Sequence, residues 1–376
     1  MICAHVTDTH LDERCKHESL PEQVKRLVWI GEHAKGCHAE VLLHAGDVFE
    51  RLSTPAERNA AIEVFQAWAE HMPVVAIEGN HDRPNDLAYL THLASQHPIV
   101  VTARPDVISV AGIRVACLPW PRKSWLASKV EPGQDINAVA ADAMRAILAG
   151  FAAQAPDILL AHVEVGAALL DTGQPMSGRA DIELSVDELS AVAPYVALGH
   201  IHKRQEFSGC NGTVCYAGSP RQTTFGEGAD KGYTLVATDG HGQPRLEHIN
   251  APGRTLHSLE ATWDGEDLSV PDGTLPDFRR GAMASESLRL TYHVDASDRE
   301  QADAVAKSMR DHLLAAGAHS VKLDPRIRNV QRARCEEIRS AASNADRIRA
   351  WWTSRGETPS REGAILDKLN ELEGEI

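Results

Sequence analysis

Five short motifs follow one another in the chain: Asp8-Thr9-His10, Gly46-Asp47, Gly79-Asn80-His81-Asp82, Ala161-His162 and Gly199-His200-Ile201-His202. Each comes just after an apolar run of β-strand type. Together they offer two carboxylates, one amide and four imidazoles, with His81 in addition. Divalent transition metals that activate water take oxygen and imidazole donors, so the set suits two neighbouring ions. Asp8 and His10, two apart past a strand, can turn toward one ion, and His202 returns to it. Asp47 is the natural bridging carboxylate, because Gly46 permits close backbone approach. Asn80, His162 and His200 complete the second ion. His81 is one side chain too many for the two coordination shells. It reads as a general acid for the leaving oxygen, or as a donor that steadies the transition state. Asp82 reads as a carboxylate that orients His81 or a ligand. Two ions held roughly 3.5–4 Å apart would polarise a phosphoryl group and activate water, so the expected chemistry is phosphoester cleavage.

Each motif alone carries little weight; the joint, ordered occurrence at strand ends carries the argument. His5, His33, His38, His71, His92 and His97 lack such context and read as structural or exposed. His17, in the loop Arg14–Leu20, reads as a surface residue.

An alternation of strands and helices is what would position such motifs. Ile2–Val6, Val41–His44, Val74–Ile77, Ile158–Ala161 and Tyr195–Leu198 read as strands. Pro21–Lys35, Pro55–Glu70 and Ile136–Phe151 read as helices, the first two with proline at a favourable first-turn position. Val107–Val110 and Ile113–Leu118 read as a hairpin across Ala111-Gly112, and Thr213–Tyr216 and Gly232–Thr238 add β-structure. The fold class is therefore α/β, layered, with mixed sheets flanked by helices, over residues 1–252. The site would lie at the carboxyl edge of the sheet, the usual place in open α/β folds. Composition shifts at Ala251-Pro252-Gly253. Residues 253–323 hold a small α+β unit: strand Leu288–Val294, helix Asp298–Ala315, strand His319–Leu323. Residues 324–376 carry two amphipathic helices, one with Ile338, Ala341, Ala345, Ile348 and Trp352, the next opened by Thr358-Pro359 with Ile365, Leu366, Leu369 and Leu372. Such helices need a surface to cover, on their own chain or on a partner.

A hydrophobic share of 43% over 376 residues supports packed cores for two or three domains. No apolar run is long enough to span a membrane and the N-terminus has no signal pattern, so a cytoplasmic protein is expected. Seven scattered cysteines, Cys210 and Cys215 among them, read as reduced structural thiols. The formal charge of −15 speaks against nucleic acid when taken at face value. Two bound divalent ions would offset part of it locally, and the basic pairs Arg122-Lys123, Lys203-Arg204 and Arg279-Arg280 could line a groove.

The motif set resembles the calcineurin-like metallophosphoesterase superfamily, whose pattern is DxH, GD, GNH[DE], H and GHxH. The longer stretches Asp8–Leu11, His44–Phe49 and Glu78–Pro84 are similar to the SbcD exonuclease branch. So is the block Tyr216-Ala217-Gly218-Ser219-Pro220-Arg221-Gln222, with Phe225-Gly226-Glu227 and Lys231-Gly232-Tyr233. That resemblance implies a nuclease domain, a capping domain, and a C-terminal helical segment (residues 324–376) that binds an SbcC-type coiled-coil ATPase. It implies two divalent ions, typically Mn²⁺. The activities it implies are 3′-to-5′ exonuclease on duplex DNA ends and endonuclease on single strands and hairpins, in DNA-end processing and double-strand break repair. It also implies a homodimer, with Pro21–Lys35 and Asp86–Ser95 as candidate interface helices. Glu50 stands where archaeal and eukaryotic relatives carry histidine and bacterial ones often an acid; this points to a bacterial or bacteriophage origin and gives Glu50 no catalytic role. The rival expectations are a stand-alone phosphodiesterase or phosphatase on small substrates, and a catalytically dead scaffold, which would have no need to keep every ligand.

Overall fold

The structure is a computed structural model that describes residues 1–122, 134–170, 172–174, 183–238, 243–271, 286–328, 338, 340–356 and 360–373. Lys123, Arg279, Arg280, Thr358 and Pro359, named above, lie outside these residues, as does the seventh cysteine, Cys335. The chain opens with β1 (Ile2–Val6), α1 (Leu20–Gly36), β2 (Val41–His44), α2 (Pro55–Ala69) and β3 (Val74–Ile77). Then come β4 (Ile99–Thr102), β5 (Asp106–Val110), β6 (Ile113–Leu118), α3 (Ile136–Ala152) and β7 (Ile158–His162). A short pair, β8 (Glu164–Val165) and β9 (Glu183–Leu184), precedes α4 (Val186–Ser190) and β10 (Tyr195–Gly199). β11 (Gln205–Ser208), β12 (Thr213–Tyr216), β13 (Gly232–Ala237) and β14 (Arg245–Asn250) complete this part.

These strands form two six-stranded sheets, ordered β14-β13-β1-β2-β3-β4 and β11-β12-β10-β7-β6-β5. β1 to β4 run parallel, as do β6, β7, β10 and β12, while β13, β14, β5 and β11 pair antiparallel at the flanks. Central parallel strands are buried on both faces, which is why VLLH, ILLAH and YVALG read as continuous apolar runs. Side-chain alternation divides each strand between two layers. Cys3, Leu43 and Val75 of the first sheet meet Cys117, Leu160 and Ala197 of the second in one core. On the far side of the first sheet, Ala4, Leu42 and Val74 pack with Leu27 and Ile30 of α1 and Phe65 and Trp68 of α2. On the far side of the second, Leu159, Val196 and Tyr216 pack with Met144 and Leu148 of α3 and Leu189 of α4. The result is four layers, helix–sheet–sheet–helix.

Local signals set the element ends. Ser19 with Glu22 caps α1 and Thr54 with Glu57 caps α2. The Trp68 indole donates to Leu27 O at 2.7 Å and locks α2 onto α1. The β5–β6 hairpin turns on Ala111 (φ 49°) and Gly112 (φ 78°), the doubly left-handed turn that two-residue hairpins favour. The helix expected over Asp86–Ser95 is instead a 3₁₀ turn, Ala88–His92. Pro84 and the left-handed Asn85 (φ 63°) just before it disrupt a regular start.

Two compact units emerge, the first built on Met1–Ser258 and the second on segments from Leu259 onward. β15 (Thr255–Trp263), β16 (Leu268–Ser269), β17 (Glu286–Asp295) and β18 (Ser320–Arg328) form a four-stranded sheet ordered β16-β15-β17-β18. α5 (Arg299–Ala315) connects β17 to β18, the strand–helix–strand unit expected from the sequence. Leu290, Tyr292, Val294, Ala302, Ala306 and Leu313 are among its buried residues. The tail contains α6 (Asn344–Ser354) and α7 (Glu362–Glu373). The expected single helix from Ile338 to Trp352 does not form. Ser343 is extended (φ −132°, ψ 162°) and its hydroxyl caps Asp346 N, so α6 starts there. Among the described residues no helix is long and apolar enough to cross a membrane.

Candidate metal centre

All five motifs lie at the carboxyl ends of parallel strands. Asp8 and His10 follow β1, Asp47 follows β2, and Asn80 and His81 follow β3. His162 ends β7, and His200 and His202 follow β10. The loops need unusual backbone. Asp8 (φ 50°), His10 (φ 44°), Asp47 (φ 56°) and His200 (φ 103°) are all left-handed without being glycine. Gly79 allows the β2 and β3 loops to touch, because a Cβ there would sit 2.1 Å from Asp47 Oδ1. A Cβ on Gly46 (φ 98°) would likewise sit 2.5 Å from His162 Nδ1.

One ligand atom each from Asp8, His10 and His202 lies within 4.8 Å of the others, and the same holds for Asp8, Asp47 and His162. Asn80 Oδ1 lies 2.8 Å from His162 Nε2 and 3.0 Å from His200 Nδ1. The two triads and the Asn80 cluster therefore bring together all seven residues expected as ligands. Asp8 is anchored from behind by Thr7 Oγ1 at 2.8 Å and by His200 N at 3.1 Å. Asp47 Oδ1 accepts from His81 N at 2.8 Å.

The ring orientations fit divalent cations. His162 Nδ1–H donates to Ala45 O at 2.6 Å, which leaves Nε2 to face Asn80 and Asp47. His10 Nε2 and His202 Nε2 face each other at 3.0 Å. Two imidazole nitrogens and several carboxylate oxygens converging in this way require a cation or protons between them. The proton behaviour points the same way. Burial would lower His162, but the Asp47 carboxylate raises it to about 9. Burial would raise Asp47, but His162 and His10 hold it far below the usual carboxylate range. Burial and the His162 charge push His200 down to about 4. Without metal, a proton on His162 balances Asp47.

His81 sits at the rim, exposed, with its ring perpendicular to that of His10 at 5.0 Å. Its Nδ1 lies 2.6 Å from Glu50 O and must donate there, so Nε2 is the nitrogen left for a reacting group. Of the two roles expected for Asp82, orienting His81 or orienting a ligand, the geometry fits the second. Buried, Asp82 accepts from Asp47 N, Val48 N, Phe49 N and Gly79 N at 2.9–3.3 Å. It therefore orients the ligand Asp47 through the backbone, and the Glu50 carbonyl orients His81.

Sequence reasoning gave several neighbours no part in bracing the site. Glu50 Oε2 is 3.0 Å from His10 Nδ1, and this pairing with the imidazole holds the Glu50 carboxyl below its ordinary range. Trp120 packs on His200 at 5.0 Å and edge-on to His162 at 5.9 Å. Arg122 donates to Gly79 O and Asp82 O, clamping the β3 loop instead of facing a groove. Buried Arg221 donates to His10 O. None has a spacing signature, because each braces a ligand residue or its loop and is not itself one of the expected ligands. His5, in the core, bonds Tyr195 Oη at 2.8 Å, and His17 packs against Phe225. Cys3, Cys15, Cys37, Cys117, Cys210 and Cys215 are free thiols.

Fold and site together define a metal-dependent hydrolase of phosphoester bonds. Residues 1–241 match the family model of the calcineurin-like phosphoesterase superfamily domain, and the chain belongs to that superfamily. The chain is similar to the SbcD subunit of the nuclease SbcCD from Bacillus subtilis strain 168, 28% identical over 283 residues, covering 69% of this chain and 72% of that protein. The protein of the same name from Escherichia coli K12 is 26% identical over 67% of this chain and 68% of its own length. The DNA double-strand break repair protein Mre11 of Sulfurisphaera tokodaii is 26% identical over 65% of this chain and 62% of its own length.

Proposed function

We propose that the chain is the nuclease subunit of a DNA-end-processing complex, cleaving DNA phosphodiesters with two Mn²⁺ ions. The observation that carries this reading is the convergence of Asp8, His10, Asp47, Asn80, His162, His200 and His202 at the ends of five parallel strands. DNA as the substrate is supported by the names of the relatives, one a nuclease component and the other a break-repair protein.

Bound ions would supply Lewis acidity and lower the pKa of water toward neutrality. Asp8, His10 and His202 would hold one ion, Asn80, His162 and His200 the other, with Asp47 between them. His81, held by its Nδ1–H on the Glu50 carbonyl, presents Nε2 at the rim, and in its doubly protonated form would pass the Nε2 proton to the leaving oxygen. Trp120 keeps the His162 and His200 rings in place.

The domain assignment is a nuclease domain over residues 1–252, a cap over 253–323, and a partner-binding tail over 324–376. The tail is read as the docking segment for an SbcC-type coiled-coil ATPase. While Trp352 and Leu366 are buried, Ile365 and Leu372 remain 42% and 51% exposed among the described residues, apolar positions that suit a docking surface. The working state is a homodimer in the cytoplasm of a bacterium or a bacteriophage-infected cell.

The test is a digest of end-labelled linear duplex with Mn²⁺, with and without the ATPase and ATP. Cleavage that depends on Mn²⁺ supports the reading. Turnover of a small phosphodiester with no DNA cleavage in any condition would overturn it. Deleting residues 324–376 should abolish co-purification with the ATPase and spare cleavage of short single strands; unchanged co-purification would remove the tail assignment.

A further inference from the structure

The Gly218–Lys231 block carries no metal ligand, yet its side chains converge behind one. Glu227 Oε1 lies 3.3 Å from His202 Nδ1, on the side of the ring away from His10. Its other oxygen, Oε2, receives Thr223 N at 3.2 Å and lies 2.8 Å from the Lys231 ammonium. Lys231 Nζ also donates to His202 O at 3.0 Å and to Ser219 Oγ at 3.1 Å. Glu227 and Lys231 are both buried, with side-chain exposures of 8% and 4%. The Thr223 hydroxyl donates to Glu227 as well. Gln222 Nε2 donates to Glu227 O at 2.8 Å and to Leu256 O at 3.0 Å, while Leu256 N donates back to Gln222 Oε1 at 2.8 Å.

A buried carboxylate and a buried ammonium are expensive to keep, even as a pair. A second hydrogen-bonded task for each accounts for the arrangement. A carboxylate at Nδ1 keeps the proton on that nitrogen, so Nε2 offers its lone pair. In His202 that lone pair points toward His10 Nε2, 3.0 Å away. Lys231 prevents rotation of Glu227 and fixes the His202 carbonyl at the same time. His162 obtains the same result from a backbone carbonyl, Ala45 O.

We propose that Glu227 is a positioning residue for the first metal ion: it fixes the tautomer and the angle of His202, and Lys231 holds Glu227 in place. The assignment rests on the two-metal reading above. It also gives a task to two residues of a block that no ligand pattern requires.

The experiment is Mn²⁺ titration of the full chain by calorimetry, with metal content counted after gel filtration, alongside thermal melting in EDTA. The unaltered chain should bind two ions. Glu227→Gln should weaken one ion 10–100-fold and leave the other unchanged, while the unpaired Lys231 ammonium lowers the metal-free melting temperature. A merely structural role would weaken both ions alike, which would overturn the proposal. Two ions bound at parental affinity by Glu227→Gln would overturn it as well. Should Glu227→Gln fail to fold, Glu227→Asp keeps the charge beside Lys231 and draws the carboxylate back from Nδ1. It should show the same one-ion loss, and parental binding of both ions would refute the assignment. Fewer than two ions in the unaltered chain would overturn the two-metal reading and this assignment with it.

Discussion

Asp82→Asn isolates the part of the site that is pure architecture. The carboxylate accepts from four backbone N–H groups, those of Asp47, Val48, Phe49 and Gly79. It is 1% exposed, so water cannot replace it. An asparagine keeps one acceptor oxygen and turns an NH₂ group toward the remaining donors. On this geometry about two N–H groups lose their partner, at about 1–3 kcal/mol each. The loss is partly offset, because burial and the Asp47 charge already push the Asp82 carboxyl up to about 6. A net destabilisation of about 3 kcal/mol corresponds to a fall of roughly 6–12 °C in the melting temperature of a unit this size. The β2 and β3 loops would separate, so Mn²⁺ affinity should fall with stability. Scanning calorimetry of the metal-free protein and Mn²⁺ titration measure the two effects. A variant that melts with the parent and binds both ions normally, but no longer cleaves, would refute the reasoning and return Asp82 to the chemistry.

Three further outcomes are expected. His81→Ala should keep both ions and lose about 10²–10⁴-fold in cleavage rate; equal loss of metal in that variant would show His81 to be a ligand. Burial holds the His5 imidazole down to about 3, so the folded state keeps it neutral while the unfolded chain protonates it near its ordinary value. Its contribution to stability is therefore complete above about pH 6.5 and shrinks as pH falls, by about 2 kcal/mol between pH 6.5 and 5. Urea melts at the two pH values, compared with His5→Gln, should show that slope flattened in the variant. Cys3, Cys117 and Cys215, pushed up to about 12 by burial, should resist alkylation at pH 8 until the protein is unfolded, read by mass spectrometry.

The sequence revealed the parts of the molecule with the strongest periodic signal. The central strands β1, β2, β3, β7 and β10 are apolar on both faces, and every expected ligand sits within a few residues of the end of one. The edge strands β11 and β14 went unread because their burial patterns are mixed. An edge strand needs to bury one face only, and a sequence such as QEFS or RLEHIN passes for a loop. Residues that brace the ligands were hidden for a different reason. Glu227 and Arg221 lie far in sequence from His202 and His10, and only the folded chain joins them. Asp82 was noticed through its neighbour His81, although its bonds run to the opposite loop. The 3₁₀ turn at Ala88–His92 and the late start of α6 at Asn344 both follow from local backbone geometry that apolar spacing does not register.

Asp8, His10, Asp47 and His200 occupy left-handed backbone, each at a conformational cost of order 1–3 kcal/mol. Glycine would adopt those angles freely but has no side chain to offer an ion. Selection for thermal stability alone would therefore favour glycine at all four positions and erase the metal centre, yielding a sturdier and inert protein. Asp, His, Asp and His at such angles are what a metal centre demands and stability does not, and their presence is a criterion for separating active members of this superfamily from those that have only the scaffold.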